Sequence, residues 1–172
     1  MLLRASAGAG EDAGRTIGGG RRRRLLMAGL TLALAAVFVR LAWLGDDAYI
    51  TLRCVENWVS GNGLRWNTMD RVQTYTHPLW MLLLAMGRLC CGELYFTTIG
   101  IGLLLSLLAV PALLRFGATA ASWVATAVLL VSARAFGEYA TSGLETPLTY
   151  VLLAWFCTIV AREHEPRRRF DR

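Results

Sequence analysis

Two adjacent carboxylates, Asp46 and Asp47, directly follow the first long apolar run of the chain. Such a pair suits acid–base chemistry, because one carboxylate can take a proton from a hydroxyl group while cations or a divalent metal neutralise a departing phosphate. A structural role is also open. An acid at the start of a helix can accept backbone N–H bonds as an N-cap and complement the helix dipole.

Other side chains of the chain could join such a site. Glu145 precedes the last apolar run, where it is either a first-turn acid of that helix or a partner of the acid pair. His77, before Pro78, is either a polar site residue or an interfacial histidine. The remaining candidates are Arg53 and Arg71 for a phosphate, and Trp66, Tyr75 and Trp80, which could stack on sugars or form an interfacial aromatic belt.

The segment that carries the acid pair has the period of an amphipathic helix. Its apolar residues Ala48, Leu52, Val55 and Val59 recur at helical spacing. Gly61 and Gly63 are typical of the end of a helix. The spacing therefore predicts a helix that begins near Asp46 and lies on the membrane surface.

The hydrophobic residues make up 55% of the chain and are grouped in long blocks, which predicts an all-α integral membrane protein. All 18 basic residues are arginines, and they flank the apolar blocks without interleaved aromatic residues, so we expect no nucleic-acid partner. The predicted transmembrane helices number about four, at residues 25–44, 94–114, 118–133 and 147–161.

A fifth apolar run, Pro78 to Leu89, is short for a crossing and is typical of an interfacial helix. The distribution of arginines favours this interpretation. With four spans, 12 arginines lie inside and 5 outside, whereas five spans would leave 8 inside and 9 outside. Only the four-span arrangement follows the positive-inside rule.

The resulting topology is a multi-pass protein of the inner, cytoplasmic membrane with both termini in the cytoplasm. Residues 1–20 form a flexible tail, residues 21–161 the membrane module and residues 162–172 a basic tail. The loops 45–93 and 134–146 lie on the outer face. There Cys54 could pair with Cys90 or Cys91. A cleavable signal peptide, suggested by Ala33-Leu34-Ala35, is the less favoured alternative for the first span.

Two quoted segments carry a resemblance to a known family. The run "DDAYITLRCVENWVSGNGLRWNTMDRVQTYTHPLW" and the later "SGLETPL" resemble the N-terminal part of bacterial GT-C superfamily glycosyltransferases. The similarity is greatest to the group that includes the mycobacterial arabinofuranosyltransferases. It covers roughly residues 22–161 and implies a GT-C-like module with interfacial helices in its first outer loop.

This resemblance implies a membrane glycosyltransferase that uses a polyprenyl-phosphate-sugar donor and an envelope glycan or lipid acceptor. Asp46 and Asp47 would be the catalytic pair, and the substrate-binding residues would be Arg53, Tyr75, Thr76, His77 and Glu145. A divalent metal is an optional cofactor. Because family members usually have more spans, we expect a truncated module or one that works with a second polypeptide. The alternative is a non-catalytic small membrane subunit of an envelope assembly.

Overall fold

The computed structural model describes residues 6–69, 72 and 74–164, with side chains from Gly20 onward except at positions 162 and 164. This part of the chain is all helical. Its seven helices are α1 (Ser6–Arg40), α2 (Asp46–Val59), α3 (Pro78–Cys91), α4 (Tyr95–Leu114), α5 (Ala120–Ser132), α6 (Arg134–Tyr139) and α7 (Thr146–His164).

The first helix begins earlier than the apolar pattern predicts. Its backbone is helical from Ser6. The flexible tail expected for residues 1–20 stays a prediction. No proline interrupts residues 6–40, so the helix can continue through residues 6–20 although six of these are glycines. The apolar part of α1, between Arg24 and Arg40, buries Leu34 and Phe38 against the other long helices.

Four helices, α1, α4, α5 and α7, pack side by side, and α4 and α7 run in the direction opposite to α1 and α5. Alanines form the contact between α4 and α7, where Ala109, Ala112 and Ala154 are buried. Small side chains allow helix backbones to approach closely, a feature common between membrane helices. A larger cluster joins α1, α4 and α5 and contains Leu34, Phe38, Val110, Leu114, Trp123, Ala127 and Ala140.

Side-chain contacts define the two ends of this bundle. At one end the Arg23 guanidinium lies 5.0 Å from the centroid of the Trp123 ring and donates a hydrogen bond to the carbonyl of Ala118 at 3.2 Å. At the other end the indole N–H of Trp43 donates to the carbonyl of Glu138 at 3.0 Å. The acid pair and residues 133–146 therefore lie at the end opposite Arg23.

Within the described part of the chain, one helix, α4, is long enough and apolar enough to cross a membrane. Helices α3 and α5 and the first part of α7, Thr146–Ala161, are apolar but shorter. At 1.5 Å per residue, the 13 residues of α5 are about 20 Å long, less than the roughly 30 Å of a hydrocarbon core. The predicted count of four spans therefore stays a prediction.

The amphipathic helix predicted after the first apolar run is present as α2. Ala48, Leu52 and Val55 are buried, and Val59 packs at the edge of the same cluster. Gly61 and Gly63 both have a φ of +83°, a conformation that glycine adopts without steric cost, and they follow the end of the helix. The buried face of α2 packs against α3.

An ion pair also joins α2 to α3. The Arg88 guanidinium donates two hydrogen bonds to the Glu56 carboxylate, at 2.8 and 3.0 Å. Arg88 thus has a polar partner on α2 and lies away from the apolar surface of α3. The hydrogen bonds from Arg88 hold the pKa of Glu56 below its usual value of 4.5.

This pair predicts an acid-sensitive contribution to stability. Because the pKa of folded Glu56 is below that of the unfolded chain, the contribution is present above pH 4.5 and is lost as the pH falls through the folded value. We expect the difference in unfolding free energy between the wild type and Glu56→Gln to shrink as the pH is lowered from 6 to about 3. Denaturant titrations in detergent at several pH values measure this difference, and a constant difference would contradict the prediction.

Trp80 ties α3 to the loop before α7. Its side chain is fully buried, and its indole N–H donates to the carbonyl of Gly143 at 2.8 Å. We expect Trp80→Phe to lower the free energy of unfolding by about 1–3 kcal/mol, because the buried carbonyl loses its partner. Equilibrium unfolding tests this value. Trp58→Phe is the matched control, since Trp58 is 38% exposed and should show a smaller loss.

Candidate active site

The N-cap of α2 is Gly45, and neither acid occupies that position. Gly45 has an extended backbone, and no side chain caps the helix, so the N-cap interpretation of Asp46 and Asp47 is wrong. Aspartate is favoured at N-caps at least as much as glycine, so the tertiary hydrogen bond of the Gly45 N–H to Ser142 accounts for the position better than propensity does. Both acids lie in the exposed first turn of α2, and within the described part of the chain their carboxylates form no hydrogen bond or ion pair.

Residues 141–146, the segment "TSGLET", pack directly beneath this first turn. The Gly45 N–H donates to the carbonyl of Ser142 at 2.9 Å. Gly143 has a φ of +81°, and a Cβ atom there would lie 2.7 Å from the side chains of Ala48 and Leu44. Only glycine therefore allows this segment to contact α2 so closely. The packing brings Glu145 next to α2, although the two are far apart in sequence.

His77 connects the two segments from the start of α3. Its Nδ1 atom lies 3.2 Å from a carboxylate oxygen of Glu145 and 3.2 Å from the Thr76 hydroxyl. Its Nε2 atom lies 3.0 Å from the Thr51 hydroxyl on α2. The imidazole thus bridges α2 and the 141–146 segment.

A pocket of about 310 Å³ opens between these elements. Its lining consists of Asp47, Ile50, Thr51, Thr74, Thr76, His77, Leu144 and Glu145. The polar groups in this set are two carboxylates, one imidazole and three hydroxyls. Such a set can bind the hydroxyl groups of a sugar and accept a proton from one of them.

The structure brings together four of the residues that the sequence and its resemblance singled out. Asp47, Thr76, His77 and Glu145 line the pocket, whereas Asp46, although exposed, does not. Tyr75 packs against the core that α2 and α3 share.

Arg53, a predicted substrate contact, packs on the loop after α2. Its guanidinium stacks 4.8 Å from the centroid of the Trp66 ring and donates to the Trp66 carbonyl at 3.1 Å. A second bond, at 3.4 Å, joins it to Asn67. Arg53 therefore fastens the loop after α2 and does not line the pocket. Arg71, the other predicted phosphate partner, lies outside the described residues.

Sequence reasoning missed two lining residues, Thr51 and Thr74. Thr51 lies one turn after Asp47 on the same helix face, so helical spacing could have identified it. Thr74 contacts Cys54, whose sulfur lies 3.0 Å from the threonine hydroxyl, and no spacing rule indicates this contact. The four cysteines are all free, so the suggested pairing of Cys54 with Cys90 or Cys91 is not formed.

The donor set of the site does not fit a metal ion by itself. Among the described residues, no group of three His, Cys, Asp or Glu side chains is arranged so that it could hold a metal ion. Asp47 and Glu145 are the two carboxylates of the pocket.

No family model matches the sequence, and no solved structure matches it. A curated relative does: the terminal β-(1→2)-arabinofuranosyltransferase of Mycobacterium tuberculosis is 30% identical over 131 residues. The match covers 68% of this chain and 21% of the relative. The chain thus spans about a fifth of the length of the relative that it matches, and it is distantly related to that arabinofuranosyltransferase.

Proposed function

We propose that this protein is a membrane glycosyltransferase module that transfers a sugar from a polyprenyl-phosphate-sugar donor to an envelope glycan or lipid. The observation that carries the proposal is the pocket in which Asp47, His77 and Glu145 meet. Segments far apart in sequence supply these residues. The distant relationship to an arabinofuranosyltransferase supports the same chemistry and suggests a pentofuranose as the sugar.

The chemistry needs a base for the acceptor. Asp47 takes the proton of an acceptor hydroxyl, whose oxygen attacks the anomeric carbon of the donor sugar. The bond from that carbon to the phosphate oxygen breaks, and the polyprenyl phosphate leaves with the electron pair. Asp47 suits this role because its exposed carboxylate has no partner in the described part of the chain.

The size and charge of the pocket favour binding of the donor sugar, and not of the donor phosphate, in its interior. At about 310 Å³, it lies at the lower limit of ligand pockets, which suits a single monosaccharide unit. Its lining carries two carboxylates and no arginine, so a phosphate would be repelled from its interior. We therefore place the donor phosphate at the rim.

The proposed topology has four spans, both termini in the cytoplasm and the pocket on the outer face of the membrane. It is supported by the two ends of the bundle. Arg23 and Arg115 stack on Trp123 and Trp155 near the end opposite the pocket. A membrane protein places its arginines mainly on the cytoplasmic side.

Deletion of the gene followed by complementation tests this function. We expect the deletion strain to lose terminal arabinofuranosyl groups from its envelope glycans, and the wild-type chain to restore them. Glycan linkage analysis measures these groups. An unchanged glycan profile in the deletion strain would contradict the proposal. A profile that Asp47→Asn restores as well as the wild type would favour the non-catalytic subunit.

A further inference from the structure

Thr51 differs from most other helical threonines whose side chains the structure describes. Threonine hydroxyls in helices usually donate to the carbonyl four residues earlier. Thr31, Thr98, Thr126 and Thr158 all do so, at 2.7–2.9 Å. Thr51 is 2% exposed, and its hydroxyl instead contacts the imidazole of His77, 26 residues away.

The partners of His77 determine where its proton lies. Nδ1 lies 3.2 Å from the Glu145 carboxylate and 3.2 Å from the Thr76 hydroxyl. A hydroxyl can donate or accept, whereas an ionised carboxylate only accepts, so both contacts are satisfied together when Nδ1 carries the hydrogen. In the neutral ring, Nε2 then has the lone pair and accepts a hydrogen bond from the Thr51 hydroxyl. The contacts therefore select one of the two tautomers.

We propose that Thr51 is a positioning residue that donates a hydrogen bond to Nε2 of His77, holds the imidazole in place and thereby fixes the Glu145 carboxylate in the pocket. Glu145 has two oxygens, and the one not facing Nδ1 is available to a sugar hydroxyl. A carboxylate whose hydrogen-bond partner is itself hydrogen-bonded, as His77 is to Thr51, keeps the geometry that transfer requires. The kinetic part of this inference rests on the proposed glycosyltransferase function, whereas the tautomer does not.

The side chain of Glu145 needs such support because it is half exposed. Its exposed fraction is 45%, compared with 18% for His77. An exposed carboxylate samples several rotamers unless a partner restrains it. His77 has contacts at both ring nitrogens, so its orientation is fixed. It can therefore hold the exposed Glu145 carboxylate in the position set by buried Thr51.

Nitrogen-15 NMR of the histidine-labelled full chain in nanodiscs tests the tautomer. The chain has two histidines, so His164→Gln leaves the signals of His77 alone. For the neutral ring we expect a protonated Nδ1 and an unprotonated Nε2. Thr51→Ser should keep this pattern, and Thr51→Val should shift the Nε2 signal, because that nitrogen loses its hydrogen bond. A protonated Nε2 in the wild type, or no change in Thr51→Val, would overturn the proposal.

Transfer kinetics test the consequence for the site. We expect Thr51→Val to lower kcat/KM about tenfold, the loss that corresponds to one buried hydrogen bond, and Thr51→Ser to restore it. Thr158→Val is the matched control, because it removes a buried threonine hydroxyl from α7 and should leave transfer unchanged. Unaltered kinetics in Thr51→Val would overturn the positioning role. Absence of transfer in the wild type would refute the proposed function and leave the NMR result to decide the tautomer.

Discussion

Asp47→Asn should lower sugar transfer by about 10²–10⁴-fold, the usual contribution of a positioned general base. Asparagine keeps the size of the side chain but cannot take the acceptor proton. The carboxylate of Asp47 lines the pocket and has no partner in the described part of the chain, so the substitution breaks no contact of the fold. Release of labelled arabinofuranose from a polyprenyl-phosphoryl donor into an acceptor measures the rate.

Asp46→Asn is the matched control for this experiment. It makes the same change of charge one residue away, in the same exposed first turn of α2, but Asp46 does not line the pocket. We expect its rate to fall a few-fold at most, because only the local electrostatic field changes. A greater loss in Asp46→Asn than in Asp47→Asn would show that the wrong acid has been assigned as the base.

Gly143→Ala should lower the free energy of unfolding by about 2–5 kcal/mol, the combined cost of a left-handed alanine and of overpacking. Gly143 has a φ of +81°, and an added Cβ would lie 2.7 Å from Ala48 and Leu44. Relief of these contacts must move the 141–146 segment away from α2, so the pocket should also widen. Equilibrium unfolding in detergent measures the loss of stability.

Gly61→Ala separates the two causes. Gly61 has nearly the same backbone conformation, with a φ of +83°, but nothing lies within 4 Å of its would-be Cβ. We expect this variant to lose only the conformational part, about 1–2 kcal/mol. Equal losses of unfolding free energy in the two variants would mean that the close contact of Gly143 with α2 does not contribute to the cost of the added Cβ.

Local sequence patterns correctly predicted the helices that carry the site. They did not predict which residue is the N-cap of α2. The spacing of Ala48, Leu52 and Val55 predicted the buried face of α2, and Pro78 marks the start of α3. The N-cap was assigned to the wrong residue because glycine and aspartate are both favoured there. Which of the two residues becomes the N-cap depends on Ser142, whose carbonyl accepts a hydrogen bond from the Gly45 N–H and which is remote in sequence.

The site itself was partly predictable. Residue type and resemblance identified Asp47, His77 and Glu145, since few other side chains of the outer loops can do acid–base chemistry. The substrate contact assigned to Arg53 stays a prediction, and nothing local shows that the loop after α2 folds back onto its guanidinium. Thr51 was missed because a buried helical threonine ordinarily bonds its own backbone, and its contact with His77 arises only from tertiary packing.

The central claim is that three separate segments form one pocket that binds the donor sugar. Hydrogen–deuterium exchange on the full chain in nanodiscs, with and without polyprenyl-phosphoryl arabinofuranose, tests it most directly. We predict slower exchange in residues 46–52, 74–78 and 142–146 together, with α5 unchanged as the internal reference. Protection confined to one of these segments, or located elsewhere in the chain, would contradict the account.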